Sequence, residues 1–471
     1  MKITNRRSVG FLPTVVANLI PLTGVSFFGW DPGTLAFVYA VELLVAVLAA
    51  GIKGLFAQQP PDYDQLGQSH GGGRLYESDG TVETTPSDLE RRLGRVTLVD
   101  ALPPVYPRNV SSLSSSVEIS LFFAIVLFGF LAAVVDPLAA VTEPAVVVSV
   151  VSLLVSHVAV IDRQYLRQRR YKTASPRSVF AVPTQEAGVV AGVLVLGATG
   201  LDTTAFLLVA VVVKTLVDWG SYRENGLFGW FTHPKIDRTV REVDPPEERV
   251  TASVRTDRRA VLFAGMVRAL TNTLPIVPVL FFVWLALGLL VRGADVNWFA
   301  ITVGVFGLVP LSFVVLETFE YVLTHRWMSY QRRGETLVAH DELTDTPQWT
   351  AEIGGFRAAE LCHEQLADRV FDSRTLAVTP TGADGDRTLA HLRSAVQAIE
   401  AFEFPLGSTN YGSLDLRIAG CVLVMTAVIV VAEISLVVTP FGPKDIWILL
   451  PFSVPFTIII GIKTWTTAYR S

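Results

Sequence analysis

Apolar spans of membrane-crossing length follow one another along this chain, and every long polar stretch falls on the same side of them. Very short turns join the spans into hairpins: Asp31-Pro32-Gly33, Asp136-Pro137, Gly200-Leu201-Asp202, Gly293-Ala294-Asp295 and Gly442-Pro443-Lys444-Asp445. Asp sits in each turn, whereas almost all the arginine lies between hairpins. A span needs roughly 20 mostly apolar residues to cross the hydrocarbon layer. That length predicts about ten spans, at 12–30, 34–56, 117–135, 144–161, 181–199, 203–219, 270–291, 298–316, 416–439 and 446–465. A composition of 51% hydrophobic and 17% charged residues over 471 positions, with mean hydropathy +0.45, is too apolar for an ordinary soluble chain of this length.

Basic residues near span ends set the orientation. Arg163, Arg167, Arg169, Arg170, Lys172 and Arg177 follow span four, and Arg223, Lys235, Arg238 and Arg241 follow span six. The opposite turns hold only Arg292 and Lys444. The pattern therefore predicts a multi-pass protein of the cell membrane with both termini and all large polar segments cytoplasmic. Lys2, Arg6 and Arg7 precede span one without a small-residue cleavage site after it, so that span is expected to be retained. The expected order is a hairpin (1–56), a cytosolic loop with a short amphipathic helix (57–116), helices three to six (117–219), and a cytosolic linker (220–260). Helices seven and eight (261–319), a small cytosolic α+β domain (320–415) and a final pair of spans (416–471) follow.

Ser87-Asp88-Leu89-Glu90 reads as a capping box. Leu89, Leu93 and Val96 would then share one helix face opposite Arg91, Arg92 and Arg95, either lying in the membrane interface or docked on span ends. In the third polar segment, 326–333 and 375–379 have strand-like composition. Asp386 is positioned to cap a helix with Leu389, Leu392, Val396, Ile399 and Phe402 on one face. Strands followed by one amphipathic helix predict a small sheet closed by a helix.

Tyr321-Val322-Leu323-Thr324-His325-Arg326 with Arg333-Gly334, and Leu366-Ala367-Asp368-Arg369-Val370-Phe371 with Thr375-Leu376-Ala377-Val378, resemble the bacterial pleckstrin-homology-like domain. The resemblance implies a small α+β fold after a membrane hairpin and a docking role, and implies no reaction. A second resemblance covers roughly the first 225 residues. Asn18-Leu19-Ile20-Pro21, Phe28-Gly29-Trp30, Tyr39 and Glu42, and later Lys214-Thr215-Leu216-Val217-Asp218, are similar to a prokaryotic family of membrane proteins of unknown function. Members often carry histidines in the third and fifth spans; here span three has none and Gln185 stands in the fifth.

Asn18 through Trp30 also echoes Asn272 through Trp284, with Asn, Pro, Val, two Phe and Trp at identical spacing, as a parallel repeat would have. Each Asn sits beside the carbonyl that a helix proline leaves without its donor. Glu42, near the middle of span two, is the leading candidate for chemistry. It is either a proton or cation site near Asn18 or a protonated carboxyl bonded between helices. Glu433 is a second acid, and Glu42, Asn18, Asn272 and Glu433 form the candidate intramembrane polar site. Lys214 and Asp218 have the spacing of a structural ion pair, and His157 is expected at an interface. Arg326, Arg332 and Arg333 form a membrane-proximal basic cluster. Asp341, Glu342, Asp345, Glu352, Glu360, Glu364, Asp368 and Asp372 are expected to give the cytosolic domain an acidic surface that favours a protein partner over anionic lipid. Cys362 and Cys421 have no metal-ligand spacing, and no cofactor, metal or nucleic acid is expected.

These features give a leading expectation of a non-enzymatic membrane protein whose partners are the bilayer and a cytosolic protein or the chain's own loops. A proton- or cation-coupled transporter or channel using Glu42 is the alternative. An intramembrane enzyme is third, since no catalytic motif is present.

Overall fold

A computed structural model of the chain describes residues 32–60, 75–78, 81–84, 89–134, 144–176, 178–180, 243–273, 307–362, 366–381 and 387–406, with isolated positions elsewhere. The chain divides into two compact units. One comprises Met1–Arg91, Thr97–Thr239 and Phe282–Val309; the other comprises Arg92–Val96, Val240–Phe281 and Pro310–Ser471.

In the first unit, helix α1 (Pro32–Phe56) is followed by the hairpin β1 (Leu75–Ser78) and β2 (Thr81–Thr84). Helices α2 (Asn109–Val134) and α3 (Pro144–Val160) come next, and α3 continues into a π-helical turn, Ile161–Leu166. Both α2 and α3 pack on α1. Gly54 allows this approach, because a Cβ there would collide with the Leu113 side chain. The carbonyls freed at the end of α1 are satisfied from α2: Asn109 Nδ2 donates to Gly54 O at 2.9 Å and to Ala57 O at 2.7 Å.

The expectation of a polytopic α-helical protein with about ten spans is overturned. Among the described residues one stretch, Val146–Leu166, is long and apolar enough to cross a membrane, and antiparallel sheets stand beside the helices. Apolar length records that a segment avoids water, not whether lipid or a neighbouring helix covers it. In α1, the residues Ala40, Leu43, Val47, Ala49 and Ala50 are buried within the protein. Helix bounds differ as well. Helix α4 (Arg258–Thr273) begins well before the span expected from 270 and carries Arg258, Arg259 and Arg268, and most of 270–291 lies outside the described residues. The helix at the eighth expected span, α5 (Val309–His325), runs past 316 through Glu317 and Glu320. The stretches 12–30, 181–199, 203–219, 416–439 and 446–465 lie wholly or mostly outside the described residues.

The second unit is built on two antiparallel sheets. β3 (Val250–Arg255), within the stretch expected to be a linker, pairs with β4 (Met328–Arg333), and β5 (Thr336–Asp341) and β6 (Thr346–Glu352) complete a sheet ordered β3-β4-β5-β6. The second sheet is ordered β7 (Phe356–Leu361), β8 (Arg374–Pro380), β9 (Arg387–Leu392), with short helix α6 (Leu366–Val370) between β7 and β8. Helix α7 (Ala395–Phe402) closes the unit. One core joins them: Val254, Tyr330, Leu337 and Ala339 from the first sheet, Leu376, Val378 and Leu389 from the second, and Ala398 and Phe402 from α7.

Two local expectations are corrected. The helix expected from Asp386 begins only after Ser394, because Arg387–Leu392 pairs with β8, with Leu389 opposite Leu376. Leucines three apart suit a helix face, and Leu389 and Leu392 are both buried in β9 because its pairing with β8 shifts register by one residue between them. The amphipathic helix expected at 87–96 is absent over the described part: Leu89–Arg91 form a turn and Arg92–Arg95 an irregular segment, with Gly94 at φ +96°. Its arginine face does not form, and Arg92 is buried.

Candidate functional site

Segment Arg92–Val96 docks on the end of β5 and the start of β6. Arg92 Nε donates to Asp341 Oδ2 at 2.6 Å, and both side chains are buried. Asp341 closes β5 and shapes the following turn, accepting from Leu343 N–H at 2.9 Å and from the Thr344 hydroxyl at 2.9 Å. Its carboxylate is therefore fixed before the arginine is considered. Gln348 then treats Leu93 as a neighbouring strand would: its Oε1 accepts from Leu93 N–H at 2.8 Å and its Nε2 donates to Leu93 O at 3.2 Å. The second Nε2 proton reaches Thr346 Oγ1 at 3.0 Å, and Thr346 stands 2.6 Å from the Thr344 hydroxyl. A chain of donors thus runs from Gln348 through Thr346 and Thr344 to Asp341, each proton used once. Gly94 completes the fit. A Cβ there would lie 2.5 Å from Thr344 Cβ and 2.5 Å from Thr346 Oγ1. Arg92 Nη1 and Nη2 are buried without a hydrogen-bond partner.

A second polar chain ties α5, α6 and β9 together. Tyr321 Oη lies 2.8 Å from His391 Nε2, and His391 Nδ1 lies 2.5 Å from Asp368 Oδ1, which also accepts from Ser373 Oγ at 2.6 Å. Burial pushes the Asp368 carboxyl up, but the hydrogen bond and charge of His391, with bonds from Ser373 and Thr375, outweigh it and leave the pKa below the usual value. His391 sits in the left-handed region at φ 51°, with its N–H held by Thr375 Oγ1 at 3.0 Å and its carbonyl by Asp257 N–H at 2.7 Å. Arg268 lies over the Tyr321 ring, 5.5 Å from its centroid, and the His325 ring stands 4.5 Å from Tyr321 on the same helix. The order Tyr–His–Asp is that of a proton relay, but all three residues are buried, so the network works as a brace. Among the described residues no group of His, Cys, Asp or Glu is arranged to hold a metal ion.

Of the polar site expected within the spans, Glu42 lies half-buried in α1, and Asn272 Nδ2 donates to Glu317 Oε2 at 2.8 Å. Asn18 and Glu433 lie outside the described residues, as do Lys214 and Asp218 and the first half of the Asn18/Asn272 echo. His157 is half-buried in the last turn of α3. The basic cluster is engaged locally. Arg332 Nη1 donates to Ala401 O at 2.8 Å and Glu403 Oε1 at 3.0 Å, tying β4 to the end of α7. Arg333 bonds Gln331, and Arg326 stands over the Trp327 ring. The expected acidic surface is smaller than the sequence suggests, because Asp341 and Asp368 are buried and Glu342 pairs with Arg255 at 2.6 Å. The Arg92, Asp341 and Gln348 set and the His391 brace were missed at the level of sequence. Gly94, flanked by arginines where a helix was expected, was the available signal.

The sequence profile of a family of unknown function (DUF6498) matches residues 2–227, nearly half of the chain. No curated protein and no solved structure matches it. What the chain resembles over its first half is thus a family to which no activity is attached, and the docked segment Arg92–Val96 falls inside the matched stretch.

Proposed function

We propose that this protein is a non-enzymatic docking protein attached to the cell membrane, whose two-sheet domain holds an irregular segment contributed by the family-like half of the chain. One observation carries the reading: the Asp341–Gln348 edge of the domain engages both the side chain of Arg92 and the backbone of Leu93, with a glycine fitted behind them. A scattered surface contact would not satisfy a backbone N–H and C=O through one side-chain amide and bury an ion pair beside it.

Attachment to the membrane is supported by Val146–Leu166. Val148, Val151, Val155 and Val158 are more than half exposed on that helix, at 64%, 52%, 63% and 64%, and an apolar face of this kind calls for lipid or protein cover. Alkaline carbonate extraction that leaves the chain soluble would remove this part of the reading.

The docking itself is tested by amide hydrogen exchange on the full-length chain. Leu93 N–H should exchange slowly in the wild type and quickly in Gln348→Ala. Equal, fast exchange in both would overturn the proposal.

A further inference from the structure

The docking contacts select a short sequence, and the selection is separable from the rest of the chain. At the first position, Asp341 takes Nε of a guanidinium, a planar side-on donor that lysine lacks. The second position is held through its backbone by Gln348, which places no polar demand on its half-buried side chain. At the third, φ +96° and the Thr344 and Thr346 contacts at 2.5 Å admit glycine alone. Together these are the requirements of an Arg-x-Gly motif in irregular, non-helical chain.

The site is also built to let go. Arg92 brings Nη1 and Nη2 out of water without a hydrogen-bond partner, so docking forfeits hydration that a single bond to Asp341 does not replace in full. Nothing covalent beyond the chain itself holds the segment there. A tether of this kind gives an effective concentration of the order of 1 mM, enough to keep a weak site filled. A segment held by tethering yields to a competitor that offers the same three residues.

On the docking reading above, we infer that the Asp341 edge is a recognition site for Arg-x-Gly peptides. It is occupied in the resting chain by Arg92-Leu93-Gly94 and taken over by a non-helical segment of a partner protein bearing the same motif.

The test uses the purified full-length chain and a fluorescent peptide copying residues 89–97. In Gly94→Val, whose own segment is released, anisotropy should report binding, at least about tenfold tighter than to the wild-type chain, where the tethered copy competes. Peptides with Arg→Lys or Arg→Met at the first motif position, or Gly→Val at the third, should bind at least about tenfold more weakly than the parent. Equal binding of the Arg→Met and parent peptides overturns the inference, as does failure of the parent to bind a Gly94→Val chain whose Leu93 amide exchanges freely. Should Gly94→Val not fold, unlabelled peptide at about 1 mM is added to the wild type; it must speed exchange at Leu93, and no change overturns the inference. A Leu93 amide that is unprotected in the wild type without peptide would sink the docking reading alone, and peptide binding would then stand separately.

Discussion

Arg92 and Asp341, 249 residues apart in sequence, meet through a 2.6 Å contact from Nε to Oδ2 with both side chains buried. The two charges are not equally well served. Asp341 also accepts from Leu343 N–H and Thr344, whereas Arg92 has Nη1 and Nη2 without partners. Removing the acid should therefore hurt more than removing the base. Asp341→Asn leaves a buried guanidinium without its anion and should cost about 3 kcal/mol. Arg92→Met leaves a carboxylate that keeps its neutral donors, and should cost less. The double variant Arg92→Met/Asp341→Asn buries no charge and should be the most stable of the three. Denaturant midpoints read from exchange of β5 amides give the order, and an Arg92→Met more damaging than Asp341→Asn would refute it.

Gly94 and Gly354 both have positive φ, at +96° and +76°, but only Gly94 faces neighbours. Ala at Gly354 meets nothing within 4 Å and should cost only the left-handed backbone term, about 1 kcal/mol. Ala at Gly94 adds a collision with Thr344 and Thr346, which the segment can escape only by leaving its site. Trypsin should then cut after Arg92 and Arg95 much faster than in the wild type, while Gly354→Ala leaves that rate unchanged. Similar cleavage of the two variants would show that space behind Gly94 does not matter.

Composition carried the strands but not their partners. Strand-like composition was legible at 326–333 and 375–379, where β4 (Met328–Arg333) and β8 (Arg374–Pro380) form. Leu389 and Leu392 were misread as a helix face because three-residue spacing is a helix's; a one-residue register shift between the Leu376–Leu389 and Arg374–Leu392 pairs lets both be buried in a strand. Apolar runs were read as lipid-facing when α1 uses Ala40, Leu43 and Val47 for packing within the protein. The docking site was invisible for another reason. Arg92 and Asp341 each look like surface charge in their own sequence neighbourhood, and only the fold brings them out of water together. Gly94 alone signalled that the 92–96 segment was no ordinary helix, and its meaning depended on Thr344 and Thr346.

Acid should loosen the second unit. Burial first, and then the positive charges of His391, Arg268 and Arg92, hold the His325 pKa well below its ordinary 6.5. The unfolded chain thus binds the proton more readily than the folded one, and stability falls as pH drops below about 6.5 toward the folded value. Asp368, with its pKa lowered from 3.8, adds a second loss as pH falls below about 3.8. His325→Gln should flatten the first limb and leave the second. Arg92→Met, which removes one of the repelling charges, should shallow the first limb as well. Melting temperatures measured between about pH 7 and 2 check both, and a first limb unchanged in His325→Gln would assign it elsewhere.

The strain at His391 has a purpose that Tyr321 can expose. A left-handed histidine within a strand persists only when its surroundings hold it, and here they act through every polar atom: Thr375 on its N–H, Asp257 on its carbonyl, Asp368 on Nδ1 and Tyr321 on Nε2. Tyr321→Phe strips the last of these and leaves a buried ring nitrogen unsatisfied, for a cost of about 1–3 kcal/mol. If the bonds act as one brace, the loss will not stay on α5. Exchange at β9 amides should rise with exchange in α5, and Thr375→Val combined with Tyr321→Phe should cost less than the two variants added, because the first loss already frees the ring. Strict additivity would mean that the hydroxyl of Tyr321 only fills space beside His391, and that α5 and β9 are held together by their apolar packing.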